Sequence, residues 1–207
     1  MFKKLWLLIV IGFMLVSYAF AALFTSPTTK VYSGVTDISV PVSLNTQGDQ
    51  VAAFNSTIQF DTTKLVFKGA STALANKTIE YNQIAPGQIK IIMFGLNADA
   101  LINGKVFDVI FDIVQGVGGQ VTVTFADTVG AKPDATAVTV TIDPIVFDVV
   151  LKGDLDNDGF VNAQDIMIMV QQLLMGTPTL PLETLDINQD GTFNVRDLQA
   201  LINIVLG

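Results

Sequence analysis

Cysteine and histidine are both missing from this chain. Without cysteine there is no disulfide framework and no thiol chemistry, so the redox compartment cannot be read from it. Without histidine the usual general base and the commonest zinc ligand are gone. The single tryptophan, Trp6, falls in the opening apolar stretch. Positive charge is scarce: 11 Lys and Arg stand against 19 Asp and Glu, a net charge of −8. That balance argues against nucleic acid, whose phosphates are neutralised by Lys and Arg. There is no G-x-S-x-G and no phosphate loop. Asp108 and Asp112 share one strand face and read as a solvated face rather than a glycosidase pair. No catalytic constellation remains, and the expectation is a protein that is not an enzyme.

What the chain does have is a unit written twice. Asp154-Leu155-Asp156-Asn157-Asp158-Gly159-Phe160-Val161-Asn162-Ala163-Gln164-Asp165 recurs 32 residues later as Asp186-Ile187-Asn188-Gln189-Asp190-Gly191-Thr192-Phe193-Asn194-Val195-Arg196-Asp197. A hard cation such as calcium takes about 6–8 oxygen ligands, and a loop of about 12 residues can supply them from positions 1, 3, 5, 7, 9 and 12. Glycine at position 6 permits the sharp turn. The first set is Asp154, Asp156, Asp158, the Phe160 carbonyl, Asn162 directly or through water, and Asp165. The second is Asp186, Asn188, Asp190, the Thr192 carbonyl, Asn194 and Asp197. Two calcium ions are expected, held more tightly by the first loop, which has four carboxylates against three. A single copy could be an Asx-rich surface turn. Two in register, each running into an apolar helix, argue against that.

Position 12 is Asp in both copies, where the common EF-hand loop has Glu, and too little sequence precedes each loop for a full entering helix. With those features, residues 153–207 resemble a dockerin module. The resemblance implies calcium-dependent attachment to cohesin modules of secreted proteins, best known from cellulosomes. It also places partner contacts at loop positions 10 and 11, here Ala163-Gln164 and Val195-Arg196. Apolar helices are expected from near Ala163, ended by Gly176, and from near Val195. Met167 and Met169 read as core filler ahead of a partner site.

Residues 1–21 read as a signal peptide: Lys3 and Lys4, an apolar run from Leu5, and Ala19-Phe20-Ala21 as the cleavage signal. The competing reading is an uncleaved anchor, because the apolar run continues to Phe24. Either way the expected location is secreted or at the cell surface.

Residues 25–151 alternate with period 2 between Gly, Asn, Asp and Pro breaks, which predicts a mainly β fold, a β-sandwich or jelly roll. Expected strands include Val35–Leu44 with Pro41 at an edge or bulge, Val51–Phe60, Leu65–Phe67, Gln88–Phe94, Lys105–Val114, Val121–Phe125, Val138–Ile142 and Ile145–Leu151. Phe54, Ile58 and Phe60 should face inward, and Asn55, Thr57 and Gln59 outward. Val40-Pro41-Val42-Ser43-Leu44, Ile58 to Phe67 and Gly104 to Phe111 make this region resemble a cohesin domain. The resemblance implies a nine-stranded jelly roll with one flat sheet face as partner surface, and Asn55 on that face. No Pro/Thr tract separates the modules, so they should be joined closely, with Lys152-Gly153 as the hinge.

Together these predict an extracellular adaptor that binds other cohesin- and dockerin-bearing proteins, and itself if its two modules match each other, with polysaccharide degradation as its setting. The alternative is a carbohydrate-binding or cell-envelope module with a calcium-stabilised tail. Exposed aromatics on one strand face would favour it, but Trp6 lies in the leader and most Phe residues point inward. The sequons at Asn55 and Asn76 carry little weight.

Overall fold

The computed structural model describes residues 21–207. The expected leader, with Lys3, Lys4 and Trp6, lies outside them. Twelve strands form two sheets, followed by three helices. The first sheet runs β11 (Val140–Ile142), β1 (Ala22–Thr25), β3 (Ile38–Asn45), β8 (Gly104–Ile113), β5 (Leu65–Ser71). The second runs β2 (Thr29–Tyr32), β12 (Ile145–Val150), β9 (Gly119–Ala131), β4 (Ala53–Gln59), β7 (Gln88–Gly95), β6 (Lys77–Ala85), with β10 (Ala137–Val138) beside β9.

The alternating sequence decides which face of each strand is buried. Val40, Val42 and Leu44 of β3 are buried, as are Phe107, Val109, Phe111 and Ile113 of β8. Asp108 and Asp112 point outward and pair with Lys105 at 2.8 Å and Lys68 at 3.4 Å. The centre is aromatic: Phe24 and Phe54 lie 4.8 Å apart, and Phe111 meets Phe147 edge-on at 6.0 Å. Large rings that bury wide apolar area at defined angles hold the two sheets together.

The cohesin resemblance implies nine strands and the structure has twelve, two of the added ones arising where the chain changes sheets near each end of the sandwich. Residues 22–32 give β1 in one sheet and β2 in the other. The predicted strand Val138–Ile142 is likewise divided, with β10 on the second sheet and β11 on the first. The sandwich also begins earlier than residue 25: Ala22 and Phe24 are fully buried in β1. Pro41 pairs with Asp108 of β8 but sits past the end of β1, so β3 is locally an edge there, and a bulge follows between Val42 and Ser43. Both expected settings for a strand proline therefore occur together.

Thr57 faces outward as expected but is covered. It is only 3% exposed, with the Lys90 ammonium 3.5 Å from its hydroxyl. Ser56 turns inward and meets Thr128 at 2.7 Å. β2 and β6 were not anticipated, because both are edge strands with few buried positions.

The joint between the modules is short. A Cβ on Gly118 would lie 2.7 Å from Leu151 Cγ, so Leu151 is packed on the sandwich. A Cβ on Gly153 would lie 2.7 Å from Leu201 Cδ1, so Gly153 is packed on the C-terminal module, and its φ of +99° also suits glycine. Of the expected hinge pair, Lys152 remains between the two packed residues.

The C-terminal module comprises α1 (Ala163–Leu174), α2 (Leu182–Leu185) and α3 (Val195–Leu206). Its core is built from pairs 32 residues apart: Leu155 with Ile187, Met169 with Leu201, Val161 with Phe193, Ile166 with Leu198 and Leu173 with Val205. The sequence repeat is therefore a structural repeat sharing one core. The methionines divide: Met169 is fully buried and Met167 is 72% exposed.

Candidate metal centre

Each acidic loop folds by turning its carboxylates onto its own backbone N–H groups. In the first, Asp154 accepts from Asp158 N at 3.1 Å and from Gly159 N at 3.0 Å. Asp156 accepts from Asp158 N at 3.2 Å, and Asp158 from Phe160 N at 2.9 Å. In the second, Asp186 accepts from Asp190 N at 3.0 Å and Gly191 N at 2.9 Å. Asn188 accepts from Asp190 N at 2.9 Å, and Asp190 from Thr192 N at 3.0 Å. These four contacts recur at the same loop positions in both loops, and the second adds the Thr192 hydroxyl donating to Asp190 at 2.6 Å. Position 6 has φ of +89° at Gly159 and +82° at Gly191, as the sequence predicts. Position 4 is also left-handed, +59° at Asn157 and +62° at Gln189, which the sequence did not signal.

Position 12 joins the loop to the helix. Asp165 Oδ1 accepts from Leu155 N at 2.7 Å and its Oδ2 from Asn162 N at 2.8 Å. Asp197 also accepts from Asn194 N, at 2.8 Å, but its second donor is one loop position later, Asn188 N at 3.2 Å. Both carboxylates are fully buried, and each forms half of a capping box at the third helical position. The other half is the ninth loop residue. Asn162 accepts from Gln164 N at 2.8 Å and Asn194 from Arg196 N at 2.9 Å. The side-chain oxygens expected to serve a cation directly or through water are engaged in capping. An Asp at position 12 is short enough to act as both cap and loop closure.

The donor set fits a hard divalent cation. Carboxylate oxygens of Asp154, Asp156 and Asp158 lie within 4.8 Å of one another. Among the described residues, the ion pairs are Lys68–Asp112, Lys105–Asp108 and Lys132–Asp49, so no loop carboxylate has a cation within 4.0 Å. Like charges gathered this closely repel unless a counter-ion enters. Burial pushes Asp154 above the ordinary carboxylate value, against the pull of the Gly159 and Asp158 N–H groups. Asp190 is held below that value by the Thr192 hydroxyl and amide. Burial lowers the Lys152 ammonium, while the Asp186 and Asp197 carboxylates pull it back up.

The remaining sequence-predicted residues lie on two separate surfaces. Ala163, Gln164, Val195 and Arg196 are all exposed at the starts of α1 and α3. Met167 and Gln171 extend the first of these patches. Asn55 is half-buried on the outer face of the second sheet, between Ile92 of β7 and Val129 of β9. Around it Ile92, Phe94 and Val129 are 44%, 40% and 52% exposed, an apolar patch that sequence reasoning missed. Its signal was Ile91-Ile92-Met93-Phe94, where alternation fails because both faces are apolar.

The chain therefore joins a two-sheet β-sandwich to a duplicated acidic-loop module. Residues 152–206 match the family model of the dockerin type I domain. No curated protein matches the chain. The sandwich has the cohesin fold. It is similar to a type I cohesin–dockerin complex from Clostridium thermocellum, with 13% identity over 64% of this chain and 95% of that one and a TM-score of 0.54. It is also similar to the non-cellulosomal cohesin of the archaeon Archaeoglobus fulgidus, with 21% identity over 63% and 91% and a TM-score of 0.52. A third similar structure is a cohesin module from a Clostridium perfringens family 33 glycoside hydrolase, with 9% identity over 63% and 98% and a TM-score of 0.54.

Proposed function

We propose that this chain is a non-catalytic extracellular adaptor, assembling through a cohesin-like sandwich at one end and a calcium-folded dockerin at the other. The observation that carries this is a dockerin type I match directly following a cohesin fold on one chain. The acidic loops would hold two calcium ions through Asp154, Asp156, Asp158 and Asp165, and through Asp186, Asn188, Asp190 and Asp197. Carbonyls at Phe160 and Thr192 would complete the sets. Calcium would neutralise the loops and so add its binding free energy to folding of the module.

The exposed starts of α1 and α3 are the surfaces offered to a partner cohesin. Their chemistry differs, Ala163-Gln164 being small and neutral and Val195-Arg196 branched and basic, so the two modes of docking would not be equivalent. The apolar patch around Asn55 is the surface offered to a partner dockerin. An apolar centre on a sheet face, rimmed by polar residues, is what a specific interface needs. A secretory leader cut after Ala21 would leave Ala22 to open β1, and a polysaccharide-degrading complex is the proposed setting.

Calorimetry tests the reading. The full chain is titrated against cohesin and dockerin modules of the same organism, first with calcium and then with chelator. Calcium-dependent binding to a cohesin, weakened by Arg196→Glu or by Gln164→Arg, is expected. Heat-silent titrations against every such module would sink the adaptor. A chain that associates with itself in calcium would make the assembly head-to-tail, a contact that propagates unless it closes into a ring.

A further inference from the structure

The sandwich is not closed along one side. The edge strand of the first sheet, β5, and that of the second, β6, are not paired with each other and flank a cleft of about 450 Å³. That is within the range of small-molecule sites, about 300–1,000 Å³. Its wall is aromatic: Phe60 and Phe67 stack at 6.5 Å, and Tyr81 meets Phe67 edge-on at 5.3 Å. Its rim is polar and uncharged, formed by Thr62, Asn82 and Gln83. The one charged residue in the lining, Lys68, is paired with Asp112 at 3.4 Å. Phe60 N donates to the Gly87 carbonyl at 3.0 Å, and a Cβ on Gly87 would lie 2.3 Å from the Phe60 carbonyl oxygen, so the floor is fixed.

The geometry points to a neutral oligosaccharide in this cleft. Sugar rings present C–H faces that rest on aromatic rings and hydroxyls that suit side-chain amides, and they bring no charge to be neutralised. Tyr81, 47% exposed, would carry the ring contact, and Gln83, which projects on the same side of β6, would bind hydroxyls. An added peptide strand suits the cleft poorly. β5 is bulged between Phe67 and Gly69, and the Tyr81 hydroxyl lies 3.2 Å from where a Cβ on Gly69 would sit. β6 is bulged between Gln83 and Ala85, with Pro86 next. Bulges and proline are devices that stop edge pairing. This inference stands apart from the adaptor reading, since it uses neither the acidic loops nor the sheet face around Asn55.

Affinity electrophoresis of the full chain in calcium tests it, using gels that contain hydroxyethyl cellulose, xyloglucan, glucomannan or mixed-linkage β-glucan. Retardation in at least one gel is expected. Tyr81→Ala should weaken it about tenfold, Gln83→Ala should weaken it less, and Tyr81→Phe should keep most of it. Val129→Asp, on the separate sheet face, should leave it unchanged. Free migration in all four gels overturns the proposal, and so does retardation that Tyr81→Ala leaves intact. If Tyr81→Ala does not fold, the exposed Gln83 carries the test, and undiminished retardation of Gln83→Ala overturns the proposal equally.

Discussion

Asp165 and Asp156 are both loop carboxylates, yet they should fail differently. Asp165 accepts two backbone N–H groups and is fully buried. Removing it orphans both donors and half of a capping box, at a cost of about 2–4 kcal/mol even in chelator. Asp156 accepts from one N–H that Asp154 also accepts. Asp156→Ala should lose stability chiefly in calcium. Thermal unfolding of both variants with and without chelator separates the two, and equal losses in chelator would refute the distinction. Acidification should separate the loops. A carboxyl whose folded pKa is raised, as at Asp154, takes up protons before an ordinary one, so protons displace calcium there earlier. In the metal-free module, protonating Asp154 favours the fold as pH falls through its raised value. The contribution of Asp190 is lost only as pH falls through its lowered one. The first loop, expected to be the tighter at neutral pH from its fourth carboxylate, should release calcium at the less acidic pH, as site-resolved NMR titration would show. Earlier release from the second loop would contradict this.

At the scale of elements, the helix starts at Ala163 and Val195 were legible because their caps are local: an Asn, and an Asp three residues on. Fastening of the loop between the repeats was not legible. Gln172 is 6% exposed, and its side-chain oxygen accepts from Thr179 N at 2.7 Å and Leu180 N at 3.3 Å. A glutamine in an apolar stretch gives no sign of which chain segment will return to it. Gln172→Ala should cost about 1–3 kcal/mol and speed hydrogen exchange at Thr179, whereas unchanged exchange would deny it that role. The strands divide in the same way. β3 and β8 were legible because buried apolar residues recur with period 2, Val40, Val42 and Leu44 in one and Phe107, Val109, Phe111 and Ile113 in the other. β6 was not, because Ile79 and Tyr81 alternate with polar residues that no neighbour covers. The change of sheet at Thr139 was hidden, because Val138, Val140 and Ile142 keep period 2 through it.

For the whole molecule, two separate cores joined through the short segment 151–153 predict two unfolding events. The larger core contains no acidic loop, and the smaller is enclosed by two. Chelation should abolish or lower the C-terminal transition and leave that of the sandwich in place, as calorimetry would record. One transition in both conditions would mean that the modules fold as a unit. The acidic loops could be read from the sequence because all the carboxylates of a loop lie within twelve consecutive positions. The apolar patch could not, because it is assembled from β4, β7 and β9, and the cleft could not, because β5 and β6, though consecutive in the chain, edge different sheets.

The changes of sheet near each end of the sandwich have one more consequence. β1 pairs with β11 in parallel, and β2 pairs with β12 in parallel, so the entering and leaving ends of the sandwich lie side by side in both sheets. Tension applied between Ala22 and Val150 would slide these strands along each other. Their ladder bonds would then share the load and yield together, where a peeling geometry would open them one after another. A tether built in this way holds hardest along the line on which it is pulled.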